Sequence, residues 1–331
     1  MPDINLSFAC GAYDRTLPLA DGRAKADGIG LTYVKLPPAE IFWRQLQHEE
    51  FDVSEMSLSA YIQEVARGES RFVGIPVFPS RVFRRAYVFV RADSGIEQPS
   101  DLKGRRVGVP EYHMTAALFI RGFLSDDYGV RAQDVQWVQG GQHTAGRKER
   151  VELDLPPEIK LERVYDRTID EMLLAGDIDA VTTAYEPRPF REGDPRVRRL
   201  FEDPVALDIE AFHRTGIFPI MHLVTIRRKI YERNQWIARE LEKAFVAARD
   251  IAYKDLSDNG TSLSMLPFFQ SELQRTKREL GEDFWPYGIE RNRATLEAAA
   301  RYSHEQGLSP RLVDVDELFP ASVRHAHGDD D

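Results

Sequence analysis

Cysteine is all but missing from this 331-residue chain. Cys10 stands alone, which excludes an intrachain disulfide and any site built on several cysteine ligands. Also missing is a run approaching the roughly 20 apolar residues that a membrane helix needs. The N-terminal segment lacks a basic region followed by a long apolar one. Phe8-Ala9-Cys10-Gly11 has the form of a lipoprotein cleavage box, but the roughly six residues of apolar character before it fall short of an export helix. The expected location is therefore the cytoplasm. There is no glycine-rich phosphate loop, no GxSxG elbow, no dinucleotide fingerprint and no HExxH pair. Acidic residues outnumber basic ones 54 to 44, and the two signs are interspersed. Neither nucleic acid nor a membrane is an expected partner of such a surface.

What is present is an alternation of strands and helices. Ile4, Leu6 and Phe8 alternate with smaller or polar residues as a strand does, and Cys10-Gly11-Ala12 breaks the pattern into a loop. A short buried strand is expected over 51–56, then a helix carrying Leu58, Tyr61, Ile62 and Val65, capped by Ser57 and ended by Gly68. The stretch 85–92 reads as a strand. A second cycle places a strand at 106–109, a polar junction at 110–115 and a helix with Ala116, Phe119, Ile120 and Phe123 on one face. Thr168 and Glu171 form a capping box for a helix that stops at Gly176, and strands follow at 179–183 and 222–227. The segment 140–157 reads as a long loop or flap, and the charged tail 324–331 as disordered. This order predicts open α/β sheets, whose ligands bind beyond the carboxyl ends of the strands.

Several segments carry a family resemblance. Asp52-Val53-Ser54-Glu55-Met56-Ser57, Pro76-Val77-Phe78-Pro79-Ser80-Arg81, the Asp101-Leu102-Lys103-Gly104 unit running to Tyr112, Phe218-Pro219-Ile220-Met221-His222 and Asp283-Phe284-Trp285-Pro286-Tyr287-Gly288 all resemble the 4,5-dihydroxyphthalate decarboxylase family. The resemblance spans nearly the whole chain. It implies a two-lobed, type II periplasmic-binding-protein-like α/β fold with a central cleft, in which residues 1–89 and 222–331 form one lobe and 90–221 the other. The expected crossings between lobes are 86–92 and 219–224. It also implies non-oxidative decarboxylation of a dihydroxylated aromatic diacid, with 4,5-dihydroxyphthalate giving 3,4-dihydroxybenzoate and carbon dioxide. The alternative is a non-catalytic protein that binds a small aromatic or organic anion. No redox cofactor is required, a divalent metal is left open, and so is homo-oligomerisation.

Candidate residues follow from where they fall in this pattern. Arg81, Arg84 and Arg85 come after a Pro-Ser turn, where guanidinium groups can pair with carboxylates; Arg81, inside the family-like motif, and Arg85 are taken as substrate-binding residues. Arg15 in the first loop, Thr115 at a helix start and Glu55 in a polar turn join them. His113 and His222 lie at two junctions expected to face the cleft, and either is a candidate general acid because an unperturbed imidazole exchanges its proton near neutral pH. Glu186 is the third catalytic candidate. Glu111 reads instead as a helix cap. No metal ligands are assigned.

Overall fold

The computed structural model describes residues 4–68, 70–261 and 264–324. The tail expected to be disordered lies, from 325 onward, outside the described residues. Eleven strands occur among the described residues: β1 (Ile4–Cys10), β2 (Ile29–Lys35), β3 (Val53–Ser57), β4 (Phe72–Arg81), β5 (Val88–Arg91), β6 (Arg106–Val109), β7 (Gln136–Gln139), β8 (Lys160–Arg163), β9 (Ala180–Thr182), β10 (Val197–Arg199) and β11 (Ile220–Arg227). They form two sheets. The first has the order β2-β1-β3-β11-β4 and the second β10-β5-β9-β6-β7-β8.

Both sheets obey one rule. β1 pairs in parallel with β2 and β3, while β11, arriving from the other half of the chain, lies antiparallel between β3 and β4. In the second sheet β6 pairs in parallel with β7 and β9, while β5 lies antiparallel between β9 and β10. Each half therefore takes its inserted strand from the segment that has just crossed over. The chain passes between sheets over residues 82–87 and again ahead of Ile220, and the two passages touch where the Val82 N–H donates to the Pro219 carbonyl. The segments 86–92 and 219–224, expected to cross, belong mostly to single sheets, because their apolar residues find ladder partners as soon as the chain arrives.

Local chemistry explains most boundaries. The Ser57 hydroxyl accepts from the Ala60 N–H and starts helix Leu58–Ala66, and Thr168 with Glu171 closes the capping box of helix Ile169–Ala175, which ends at left-handed Gly176. β4 is buried along its whole length but cannot hydrogen-bond as an ordinary strand, since Pro76 and Pro79 have no N–H. Its register against β11 slips on both sides of His222. The carbonyls freed by this irregularity are taken up elsewhere: Pro76 by the Gly288 N–H, Phe78 by the Trp285 indole at 2.9 Å and Pro79 by Arg15.

The two halves also share a helical interface. Helix Thr115–Tyr128 follows β6 of the second sheet, yet it packs on helices Leu58–Ala66 and Arg293–Glu305. Gly122 makes this approach feasible by leaving room for the Tyr302 ring, whose hydroxyl donates to Asp126 at 2.6 Å. Arg121, almost wholly buried, bonds the Gln306 side chain and the Tyr112 carbonyl, both at 2.7 Å.

Candidate functional site

The carboxyl ends of β1, β3, β6 and β9, with the first crossing, surround a cleft of about 260 Å³. The loop after β1 contributes Tyr13, β3 ends at Ser57, the turn after β6 brings His113 and Thr115, and β9 leads to Ala184 and Tyr185. His222 enters from β11, and Phe42 and Met221 supply apolar wall. This is the location that strand-end logic specifies for a ligand in an open α/β sheet.

On one side lies a proton-bearing network. His222 Nδ1 is 2.5 Å from Oε1 of Glu55, which is fully buried, and the same oxygen accepts from the Tyr13 hydroxyl at 2.6 Å. The other oxygen accepts from the Gly11 N–H at 2.9 Å and from Cys10 Sγ. Burial alone would raise the Glu55 pKa, but His222, Tyr13 and the Gly11 amide outweigh it and hold the carboxyl below its ordinary range. Tyr13 is pushed up by its own burial and by the Glu55 charge, so it stays a phenol. The His222 ring sits edge-on to Phe42, 4.8 Å between centroids. With Nδ1 committed to Glu55, Nε2 is the nitrogen left for a ligand.

His113 is held differently. Its Nδ1 bonds Glu149, and its Nε2 lies 3.4 Å from Glu111. Glu111 in turn takes Arg147 and, at 3.3 Å, Arg150. Glu149, Arg147 and Arg150 all come from the irregular segment 140–157, so a knot of ion pairs ties this flap to the turn after β6. Burial works against ionisation of Glu149, but His113 and the amides of Tyr112 and His113 hold it below the usual carboxylate range. Glu111, His113 and Glu149 also offer one donor atom each within 4.8 Å of one another, close enough to share a cation. Arg147 and Arg150 already compensate Glu111, however, and each imidazole nitrogen faces a carboxylate, so the cluster is complete as ion pairs.

The positive side of the cleft is unbalanced. Arg84 is 7% exposed and lines the cleft, yet its contacts are the Met221 sulfur, the Ala184 carbonyl at 3.4 Å and the Tyr87 ring. No carboxylate among the described residues pairs with it. Burial pushes its pKa down to about 10, still leaving it a cation at neutral pH. Two helix starts add partial positive charge: the hydroxyls of Ser57 and Thr115 meet at 2.8 Å, each beside the N-terminus of its helix.

Other expected site residues lie elsewhere. Arg81 does not line the cleft; it is buried against the carbonyls of Phe218 and Pro286 and stacks over the Phe218 ring, which joins the three proline- and aromatic-rich motifs into one structural unit. Arg85 is a buried bridge between Asp127 and Asp208. Arg15 is spent on the Pro79 carbonyl and Asp14 and lies over Trp285 at 4.0 Å. Glu186 pairs with Arg199 at 2.6 Å, and its neighbour Tyr185 lines the cleft instead. Thr115, His113 and His222 do line it, and Glu55 stands directly behind His222. Arg147, Glu149 and Arg150 were missed as individuals, although the flap carrying them stood out as a long loop; their charge-rich sequence inside it was the available signal.

Comparison with known proteins bears on this arrangement. Over 325 residues the chain is 41% identical to the 4,5-dihydroxyphthalate decarboxylase of Comamonas testosteroni, covering 98% of each protein. The chain belongs to the 4,5-dihydroxyphthalate decarboxylase family. The enzyme of the same name from Pseudomonas putida is 43% identical over 205 residues, 62% of this chain and 80% of that protein. Residues 29–148 match the family model described as the periplasmic substrate-binding protein of a phosphonate ABC transporter. Among solved structures, the periplasmic aliphatic sulphonate-binding protein SsuA of Escherichia coli aligns over 98% of this chain and 99% of its own with a TM-score of 0.54 at 15% identity. A putative sulfonate-binding protein from Methylobacillus flagellatus aligns over 98% and 93% with a TM-score of 0.56 at 14% identity. The chain thus has the type II periplasmic-binding-protein-like fold that the family resemblance implied, and its open α/β sheets are those that the order of elements predicted. No described helix is long and apolar enough to cross a membrane.

Proposed function

We propose that the chain decarboxylates 4,5-dihydroxyphthalate without oxidation, giving 3,4-dihydroxybenzoate and carbon dioxide. The observation that carries this reading is the pairing within one cleft of a buried arginine, with no counter-ion among the described residues, and a histidine braced by a buried glutamate. A buried charge is costly unless paired, so Arg84 favours a carboxylate ligand. The names and extent of the relatives point to the same substrate.

In the proposed mechanism Arg84 and the adjoining helix starts bind carboxylate. The hydroxyl para to the leaving carboxylate ionises and pushes electron density into the ring. The ring carbon bearing that carboxylate takes a proton from His222 Nε2 and becomes tetrahedral. The bond to the carboxylate then breaks, carbon dioxide departs, and its electron pair restores aromaticity. Glu55 holds the His222 tautomer and stabilises the imidazolium that must form before each donation. Phe42 and Met221 give the ring an apolar wall, and the flap excludes water.

A cytoplasmic location suits a catabolic step of this kind. Its structural support is that Cys10, the residue of the lipoprotein-like box, is buried at the end of β1 beside Glu55. The test is product formation: purified protein with 4,5-dihydroxyphthalate should release one carbon dioxide per 3,4-dihydroxybenzoate. Tight binding without either product would mark a binding protein.

A further inference from the structure

Among the described residues three arginines line the cleft, Arg84, Arg147 and Arg150, and no carboxylate does. Arg147 is well compensated by Glu111. Arg150 shares that carboxylate: its contact with Glu111 is a 3.3 Å approach to an oxygen that Arg147 already occupies, while the second Glu111 oxygen faces His113 Nε2 at 3.4 Å. Burial lowers the Arg150 pKa against the opposing charge of Glu111, and the neighbouring Arg147 charge adds to the lowering. Its side chain is 17% exposed. Arg84 and Arg150 come from separate parts of the chain, the first crossing and the flap, and both line the cleft together with Tyr185. One guanidinium group without a carboxylate among the described residues and one that shares its carboxylate thus line the same cleft.

We propose that Arg150 is a specificity-determining residue that reads a second carboxylate, so that the cleft selects an aromatic ortho-diacid over a monoacid. This deepens the decarboxylase reading and rests on it for the identity of the substrate. Arg84 takes one carboxylate of the diacid and Arg150 the other. The flap is then drawn onto the ligand by a contact that a monoacid cannot make. Decarboxylation leaves a single carboxylate, the Arg150 contact is lost, and product release follows from the chemistry itself. A planar guanidinium forms paired hydrogen bonds with a carboxylate that lysine cannot reproduce, so the effect depends on shape as well as charge.

The test uses phthalate and benzoate, which have the two anionic patterns but no hydroxyl to activate. Calorimetry at fixed ionic strength should show the unmodified protein binding phthalate more tightly than benzoate. Arg150→Gln should weaken phthalate binding at least tenfold and change benzoate binding by less than about twofold, with Arg150→Lys intermediate. Lys148→Gln, which removes an exposed charge from the same flap, should change neither. Equal losses for the two ligands in Arg150→Gln, or no preference for phthalate in the unmodified protein, would overturn the proposal. Carbon dioxide release from 4,5-dihydroxyphthalate is measured beside it. Turnover without a diacid preference removes this inference alone; a diacid preference without turnover removes the decarboxylase reading and leaves the two-anion site standing.

Discussion

His222 Nδ1 and Glu55 Oε1 lie 2.5 Å apart although 167 residues separate them in the chain. They meet because β11 pairs antiparallel with β3, placing His222 opposite Ser57 and Val224 opposite Glu55. The insertion of a late strand beside an early one is therefore what assembles the proton-bearing side of the cleft. The Glu55 network also has a consequence for stability.

The Glu55 carboxyl titrates below its ordinary range in the folded protein, so its contribution to stability is fully present above the unfolded value of about 4.3 and is lost as pH falls through the lower folded value. Glu149 contributes with the same sign. Urea midpoints measured from pH 7 to pH 3 should therefore fall below about pH 4.5, and in Glu55→Gln the fall should be shallower. An identical slope in the variant would show that Glu55 is not held ionised by folding.

Arg84 and Arg81 should respond oppositely to substitution. Arg84 is a buried cation without an ionic partner among the described residues, so Arg84→Met should leave the urea midpoint unchanged or higher while weakening substrate binding by about 1.5–3 kcal/mol, the range for hydrogen bonds to charged groups. Arg81 supports two carbonyls and the Phe218 ring, and Arg81→Ala should cost about 2–4 kcal/mol of stability with little change in the dissociation constant of the folded fraction. Calorimetry and urea unfolding of the two variants check both halves.

The contrast between these two arginines marks how far sequence reading reached. Elements with local causes were legible: the Ser57 cap, the Thr168–Glu171 capping box, the stop at Gly176 and the helix after the polar turn at 110–115 all depend on residues within a few positions of one another. So was the position of the two histidines at the cleft, His113 from its place between a strand end and a helix start and His222 from its place near the expected second crossing. Which of three neighbouring arginines faces the cleft was not legible. Arg81, Arg84 and Arg85 leave an irregular strand and a short helical turn in three directions, toward Pro286, toward Met221 and toward Asp208, and each partner is more than 100 residues away. Glu186 was misplaced for a similar reason: one position decides between Tyr185 in the cleft and Arg199 outside it.

Gly122 offers a test of the interface between the two halves. Alanine is ordinarily better than glycine inside a helix by about 1 kcal/mol. Here the added methyl would fall on the Tyr302 ring, which cannot swing aside while its hydroxyl is bonded to Asp126. Gly122→Ala should thus destabilise the protein by about 1–3 kcal/mol, as overpacking does. In a Tyr302→Ala background the same change should be neutral or stabilising, and a double-mutant cycle read by urea unfolding gives the coupling. Additive effects would show that the ring does not set the helix spacing.

The two histidines share the cleft, but their surroundings divide the work. His222 has one nitrogen braced by Glu55 and the other left for a ligand; His113 has a carboxylate at each nitrogen, one of them carried by the flap. His222→Gln retains hydrogen-bonding capacity and loses the acid, so kcat should fall roughly 10²–10⁴-fold with a much smaller change in substrate affinity. His113→Gln should do the reverse. With its imidazole gone, Glu149 loses one of the contacts that hold the flap down, so KM should rise more steeply than kcat falls, and trypsin should cut more readily at Arg147, Lys148 or Arg150. Carbon dioxide release across pH, substrate calorimetry and limited proteolysis of the two variants separate these roles. A loss of kcat confined to His113→Gln would transfer the proton donor to that residue, and a loss of affinity and turnover together in His222→Gln would make His222 a substrate ligand.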